Sequence, residues 1–295
     1  MNSALNTTLS VVSSSPSRYS ELRTYYDEKY HLAWGYMHAS PRPCFNTKLL
    51  NELQDWFTEL SVQHEQNIRF AVLASDTPGV YNLGGDLDLF RNYILAKDRA
   101  GLFNYAKTCI DTLYIKMKNF HRDITHITLV QGDALGGGFE CALASDVLIA
   151  ERGTKMGFPE ILFNLFPGMG AYSLLSRKLD SVRAERMILS GKLYTAEELY
   201  EMGVVDILAE NQQGEMAVYD YISKESKSTN GYRAFRAAKN CVNPVTYEEL
   251  MAITDIWVDA ALRLEKRDLR MMERLVARQQ KLDCQKINLR SVEEL

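Results

Sequence analysis

Residues 124–151 read ITHITLVQGDALGGGFECALASDVLIAE. Ile124 to Val130 is an apolar run of strand length, and Val147 to Ala150 is another. Between them lie three consecutive glycines, Gly136, Gly137 and Gly138, followed at once by a helical pattern. A strand that turns through glycine into a helix and returns as a strand predicts an α/β fold. Three glycines in a row serve no side-chain packing. They free the backbone for special dihedrals, or let another group approach its N–H groups closely. At a helix N-terminus those N–H groups point outward with a favourable dipole, which suits an anion or a developing oxyanion. A tight strand-to-helix turn, and nothing more, is the alternative.

The alternation extends outward in both directions. Tyr30–His38 and Ile68–Ala74 read as strands, and Val204–Leu208 as a further one. Leu49, Leu50, Leu53, Trp56, Phe57 and Leu60 recur at helical spacing and predict a helix over 47–63. Leu102, Phe103, Ala106, Ile110, Leu113 and Met117 predict another over 100–119. After about residue 210 the strand signals stop. Leu250, Ile253, Trp257, Ala260 and Leu264 keep a helical period, which Leu269, Met272 and Val276 resume. The chain thus divides into a Ser/Thr-rich tail over 1–20, read as partly disordered, an α/β core over 21–210 and a helical region over 211–295. The apolar stripe of that last region serves core and oligomer packing, or walls a ligand pocket.

Composition excludes several classes. Of 295 residues, 46% are hydrophobic and 24% charged, so a core can form without metal or disulfide staples. A net charge of −4 gives no bulk attraction to nucleic acid or anionic membranes. No apolar run reaches the length of a membrane span. Cys44, Cys109, Cys141, Cys241 and Cys284 are scattered and include no C-x-x-C pair, which argues against a disulfide framework and a zinc site. Free thiols suit a reducing cytoplasm. The first basic residue is Arg18 and no long apolar region precedes it, so no secretory signal is expected. The five histidines show no metal-ligand spacing, and His126, in an apolar strand, reads as a satisfied core residue. Nucleophile-elbow, Walker A and H-E-x-x-H motifs are absent.

Two carboxylates add chemistry to the glycines. Glu140 falls in the first helical turn after Gly136–Gly138. Glu160 lies in GFPEILFNLF, among apolar flanks. A carboxylate in such surroundings is paired or shifted in pKa, because burying its charge is costly. Two such groups beside backbone N–H donors make an acid/base site for chemistry next to a carbonyl. The plainer readings are a helix N-terminal charge for Glu140 and a surface residue after proline for Glu160. A second glycine segment, Tyr81-Asn82-Leu83-Gly84-Gly85-Asp86-Leu87, follows the strand at 68–74 in the same way. Cys141 adjoins Glu140 but has no His partner and reads as helix packing.

The strings NLGGDL, QGDALGGGFECALASDVLIAE, MGFPEILFNLFPGMGAYSLL and LSGKLYTAEELYEMGVVD resemble the crotonase (enoyl-CoA hydratase/isomerase) superfamily, in order and spacing, from about 68 to 208. The family's P-E-x-x-x-G-x-x-P-G string here reads PEILFNLFPG, with Asn164 in place of the glycine. The segments YNLGGDL, FNLFPGMGAYS and ITDIWVD resemble one branch more closely, the bacterial diffusible-signal-factor synthases. That branch makes cis-2-unsaturated fatty acid signals from 3-hydroxyacyl chains on acyl carrier protein, coupling dehydration to thioester hydrolysis. TPGVYNLGGD and RDITHITLVQGD lack the basic residue and the proline usual in plain hydratases, which points away from a CoA-specific hydratase.

The resemblance implies a ββα spiral body and carries roles onto matching positions. Glu140 and Glu160 match the two catalytic glutamates. Leu83 and Gly137 would supply the oxyanion-hole N–H groups, with Gly84, Gly85, Gly136 and Gly138 admitting the thioester carbonyl. Met169 and Trp257 match acyl-pocket positions, joined as candidates by Leu135 and the aromatic run at 163–166; Trp257 fits plain core equally well. The resemblance implies no metal and no organic cofactor, a homotrimer, and a regulatory sensor protein as a further partner. Nucleic acid and membrane insertion are not expected. The alternatives are an ordinary enoyl-CoA hydratase or isomerase, and a catalytically silent binding protein on the same fold.

Overall fold

The computed structural model describes residues 18–62, 67–275 and 277. Residues 1–17 of the tail expected over 1–20, the end of the helix expected to residue 63, and Val276, Cys284 and the rest of the expected helical region lie outside them. The chain enters on two strands, β1 (Leu22–Asp27) and β2 (Leu32–Met37), and passes through α1 (Thr47–Val62). Three similar turns follow. The first is β3 (Phe70–Ser75), β4 (Val80–Asn82), α2 (Leu87–Ala96) and α3 (Arg99–Met117). The second is β5 (Thr125–Val130), β6 (Asp133–Leu135) and α4 (Gly137–Leu143). The third is β7 (Val147–Glu151), β8 (Lys155–Gly157), a 3-10 turn over Glu160–Phe163, α5 (Ala171–Lys178) and α6 (Ser181–Ser190). Then come β9 (Leu193–Thr195), α7 (Ala196–Glu201) and β10 (Ile207–Ala209), followed by α8 (Gly214–Ser226), α9 (Thr229–Val242) and α10 (Tyr247–Ala261). Residues 266–275 are also helical.

The longer strands of successive turns lie side by side in the order β1-β2-β3-β5-β7-β10, parallel from β2 onward. The short strands build a second sheet, β4-β6-β8-β9. Each turn therefore spends one strand in each sheet before its helix, which is a ββα spiral. The chemistry-bearing turns all leave the short sheet, so their ends gather in one place.

Both faces of the parallel sheet are covered, which is why β5 and β7 are buried along their whole length and read as unbroken apolar runs. Ala71, Leu73, Val130 and Leu148 face Leu49, Leu53 and Phe57 of α1. The alternate residues Val72, Ile127, Leu129 and Ile149 face Val218 and Ile222 of α8. A third cluster joins Ile94, Leu102 and Ala106 to Phe163, Leu165, Trp257 and Met272.

Several elements have no counterpart in the sequence reading. They include β1, the three-residue strands of the small sheet, which are too short to show a period, and the helices α5, α6 and α7. His126 needs a correction. It is buried, but neither ring nitrogen finds a hydrogen-bond partner among the described residues. Burial, with Lys116 nearby, holds its imidazole well below the ordinary range, so the unpartnered ring is neutral. The ring lies edge-on to Phe120 at 5.7 Å. Among the described residues, no helix is long and apolar enough to cross a membrane.

Candidate active site

The turn from β6 into α4 holds Gly136 at φ 52°, ψ −125°, a conformation that glycine alone adopts without strain. Its N–H donates to the Gly157 carbonyl at 2.9 Å. Gly137 then opens α4, where the helix itself supplies no acceptor for its N–H. Gly84, at φ 91°, follows β4 and brings the first glycine segment against the second. From the position of a Cβ on Gly137, the Gly84 Cα would be 3.4 Å away and the Gly85 nitrogen 3.5 Å. Two backbones meet here with no side chain between them.

The open amides at this junction differ from the expected pair. The Leu83 N–H donates to the Pro43 carbonyl at 2.8 Å, and the Gly84 N–H to Asn82 Oδ1 at 2.8 Å. The cause is non-local: the 43–45 segment runs beside this loop, with the Phe45 N–H on the Gly84 carbonyl at 2.8 Å. Among the described residues the Gly85 N–H has no acceptor, so the open amide beside Gly137 is that of Gly85 and not that of Leu83.

Glu140, in the first turn of α4, is buried, and its Oε1 accepts from the N–H groups of Met169 at 2.7 Å and Ala171 at 2.9 Å. Burial pushes its carboxyl up to about 7, against the pull of those two donors. Glu160 opens the 3-10 turn, and its Oε2 has no partner among the described residues. Burial first, and then the charge of Glu140, push it up to about 8. At neutral pH the site therefore favours one carboxylate and one acid. Asn164 ends that turn at φ 63°, which accounts for an asparagine where the resemblance has glycine, since these two residues best tolerate left-handed backbone. Its amide donates to Asp268 Oδ2 at 3.3 Å.

Both carboxyls and both amides border one cavity, with about 710 Å³ of empty space, part of it open to solvent. Gly136, Leu83, Met169, Trp257, Phe163 and Leu165 line it as well. A Cβ on Gly168 would collide with the Trp257 indole, so that glycine is what lets the ring close over the cavity. Three expected residues do not line it, and nor does Phe166 of the expected aromatic run, which packs against the third cluster. Gly84 serves the backbone contact described above, Gly138 lets α4 pass the Asn82 carbonyl, and Leu135 is taken up by β6 pairing with β8. The sequence reading missed Phe90, Tyr105, Cys109 and Leu275 on the wall. No apolar stripe was read through Phe90, and those read over 100–119 and 269–276 run beside Tyr105, Cys109 and Leu275, through Ala106, Ile110, Met272 and Val276. Among the described residues no group of His, Cys, Asp and Glu could hold a metal ion.

Residues 38–255 match the family model for enoyl-CoA hydratase/isomerase. The chain is 27% identical over 190 residues to the mitochondrial methylglutaconyl-CoA hydratase of Mus musculus, a match covering 62% of this chain and 57% of that protein. It thus spans little more than half the length of that curated relative. The fold is similar to that of the enoyl-CoA hydratase from Bacillus halodurans, with a TM-score of 0.74 and 19% identity over 86% of this chain and 99% of that one. It is also similar to that of Pseudomonas aeruginosa DspI, with a TM-score of 0.61 and 23% identity over 83% of this chain and 98% of that one. At these identities the two structures speak to fold alone. With the family model matched from just after β2 to the middle of α10, and the spiral of paired sheets in place, the chain belongs to the enoyl-CoA hydratase/isomerase family of the crotonase superfamily.

Proposed function

We propose that the protein dehydrates a 3-hydroxyacyl chain on acyl carrier protein to the cis-2-enoyl thioester and hydrolyses that thioester, releasing a fatty acid signal. The observation that carries this reading is the pair Glu140 and Glu160, both raised into the neutral range and both bordering one apolar cavity beside two open amides.

The thioester carbonyl sits between the N–H groups of Gly85 and Gly137. Each such donor is worth about 3 kcal/mol when charge develops on the oxygen. Glu140, steadied as an anion by the Met169 and Ala171 N–H groups, removes the α-proton. Glu160, held in its acid form by burial and then by the neighbouring charge, gives its proton to the departing 3-hydroxyl, which leaves as water. The pair is then reversed. Glu160, now a carboxylate, takes a proton from the water that attacks the thioester, and Glu140 returns its proton to the leaving thiol. One turnover restores both groups.

The acyl tail follows the apolar wall past Met169 toward Trp257 and Leu275. Trp257 and Leu275 bring the described part of the helical region into that wall, and the same region offers an oligomer surface. The exposed Phe235 and Val242 on α9 support a homotrimer. A sensor protein that restrains the enzyme is a further partner, and the thiol usage favours a cytoplasmic setting.

Incubation with a medium-chain 3-hydroxyacyl-acyl carrier protein, followed by mass spectrometry, tests the reading. A free 2-unsaturated acid, absent with Glu140→Ala, is the expected product. A second reading, an enoyl-CoA hydratase, draws support from the mouse methylglutaconyl-CoA hydratase. It predicts interconverted CoA thioesters and no free acid. No product from either substrate would leave a binding protein.

A further inference from the structure

Lys116, near the end of α3, points into the protein and is 1% exposed. Its Nζ donates to Thr128 Oγ1 at 3.1 Å and to the Cys141 carbonyl, and lies 3.4 Å from Cys141 Sγ. No carboxylate among the described residues forms an ion pair with it. A fully buried lysine is rare without such a partner, because its charge is costly to bury. Burial lowers the pKa of Lys116, which favours the neutral amine, and a neutral amine is a nucleophile. Cys141 is equally enclosed, with the Tyr81 hydroxyl 3.8 Å from its sulfur. The thiol therefore has an amine at contact distance, where the sequence offered no partner.

The pair borders empty space. A small cavity lies against Lys116 and Cys141 and is lined also by Cys109 and Met169. Those two residues line the acyl cavity as well. Cys109 and Met169 thus form a wall common to both cavities, and a small uncharged oxidant in the acyl cavity would reach the sulfur past them.

We propose that Lys116 and Cys141 are a modification site, joined by hydrogen peroxide into a sulfenamide crosslink. The thiol is first oxidised to the sulfenic acid: sulfur gives up two electrons, the peroxide O–O bond breaks and one water leaves. The Lys116 lone pair then attacks sulfur. The S–N bond forms, the S–O bond breaks, and the hydroxyl leaves as a second water with a proton from the amine. One peroxide is consumed, two waters are released and the protein loses two hydrogens. Cys141 follows Glu140 directly, so the bond ties α3 to the helix that carries that carboxyl. Any effect on turnover rests on the function proposed above, whereas the crosslink does not.

The test uses the full chain, treated with hydrogen peroxide, capped at its remaining thiols and measured by mass spectrometry. The expected product is two hydrogens lighter than the untreated protein. Trypsin should no longer cut after Lys116, giving residues 108–118 joined to 123–152. The link should persist in Cys109→Ser and vanish in Cys141→Ala and Lys116→Met. A Cys109–Cys141 disulfide would lose the same mass, but would leave Lys116 cleavable and disappear in Cys109→Ser. That result overturns the proposal, and so does a product carrying only added oxygen on Cys141. The wild-type peptide map decides the matter even if the substituted chains fold poorly.

Discussion

The carboxyl of Glu160 occupies the space where a side chain on Gly136 would begin. A Cβ there would collide with Glu160 Oε1, and the backbone at φ 52°, ψ −125° would be strained for any other residue. The glycine next to the open Gly137 amide thus also fixes where the Glu160 carboxyl can stand. Gly136→Ala should lower stability by about 1–3 kcal/mol. It should lower kcat/KM by about 100-fold or more, because a shift of about 1 Å in a reacting group has that effect. Wild-type turnover in the folded variant would show that Glu160 does not act from this position.

The pair should also shape the pH–rate profile. If Glu140 is the base and Glu160 the acid, Glu140 must be ionised and Glu160 protonated, with carboxyls raised to about 7 and about 8. kcat/KM for the carrier-bound substrate should rise through about pH 7 and fall beyond about pH 8. These limbs belong to the pair and not to either residue. A flat profile between pH 5 and 9 would contradict the acid/base assignment.

Stability should depend on the same groups with a definite sign. A carboxyl whose folded pKa is raised binds its proton more tightly when folded. Its stabilising contribution is complete below the unfolded value, 4.5, and is lost as pH rises through about 8 for Glu160. Glu160→Gln removes the ionisation. Its melting temperature should match wild type near pH 5 and exceed it at pH 9, by about 2–4 °C for each kcal/mol recovered. A difference that does not grow with pH would mean that the carboxyl is not buried beside Glu140.

The sequence showed some of this and hid the rest for physical reasons. The long strands are buried on both faces, so β3, β5 and β7 read as apolar runs. Glu140 stood out because a helix starts right after three glycines, and Glu160 because its neighbours are apolar. The small sheet stayed hidden, since three residues carry no period. The Leu83 amide was misjudged because its acceptor, the Pro43 carbonyl, lies forty residues earlier and no local signal reports it. Cys109 and Phe90 lay off the stripes read from the sequence, although Ala106, a member of the stripe over 100–119, does border the cavity. Whether a stripe faces packed atoms or a cavity depends on the opposite element, which for Phe90 includes the Trp257 ring at 5.0 Å.

Association can be read independently of chemistry. Phe235 is 71% exposed and Val242 84% exposed on α9, in which no residue is buried. Light scattering on a sizing column should give a trimer for wild type and smaller species for Phe235→Asp. A wild-type monomer would remove the oligomeric role of this helix.

Trp257 offers the sharpest test of the acyl pocket. Its ring closes over Gly168 and meets Phe90 edge-on, so it both packs the third cluster and borders the cavity. Trp257→Ala should cost about 3–5 kcal/mol through lost packing, as large buried truncations do. Stability alone cannot separate packing from substrate contact. The ratio of kcat/KM between two acyl chain lengths can, because the amount of folded enzyme cancels in it. If the indole limits the tail, the ratio should move toward longer or bulkier chains in Trp257→Ala and lie between the two in Trp257→Phe. If the ring were only core, both variants would lose activity in step with their melting temperatures and keep the wild-type ratio.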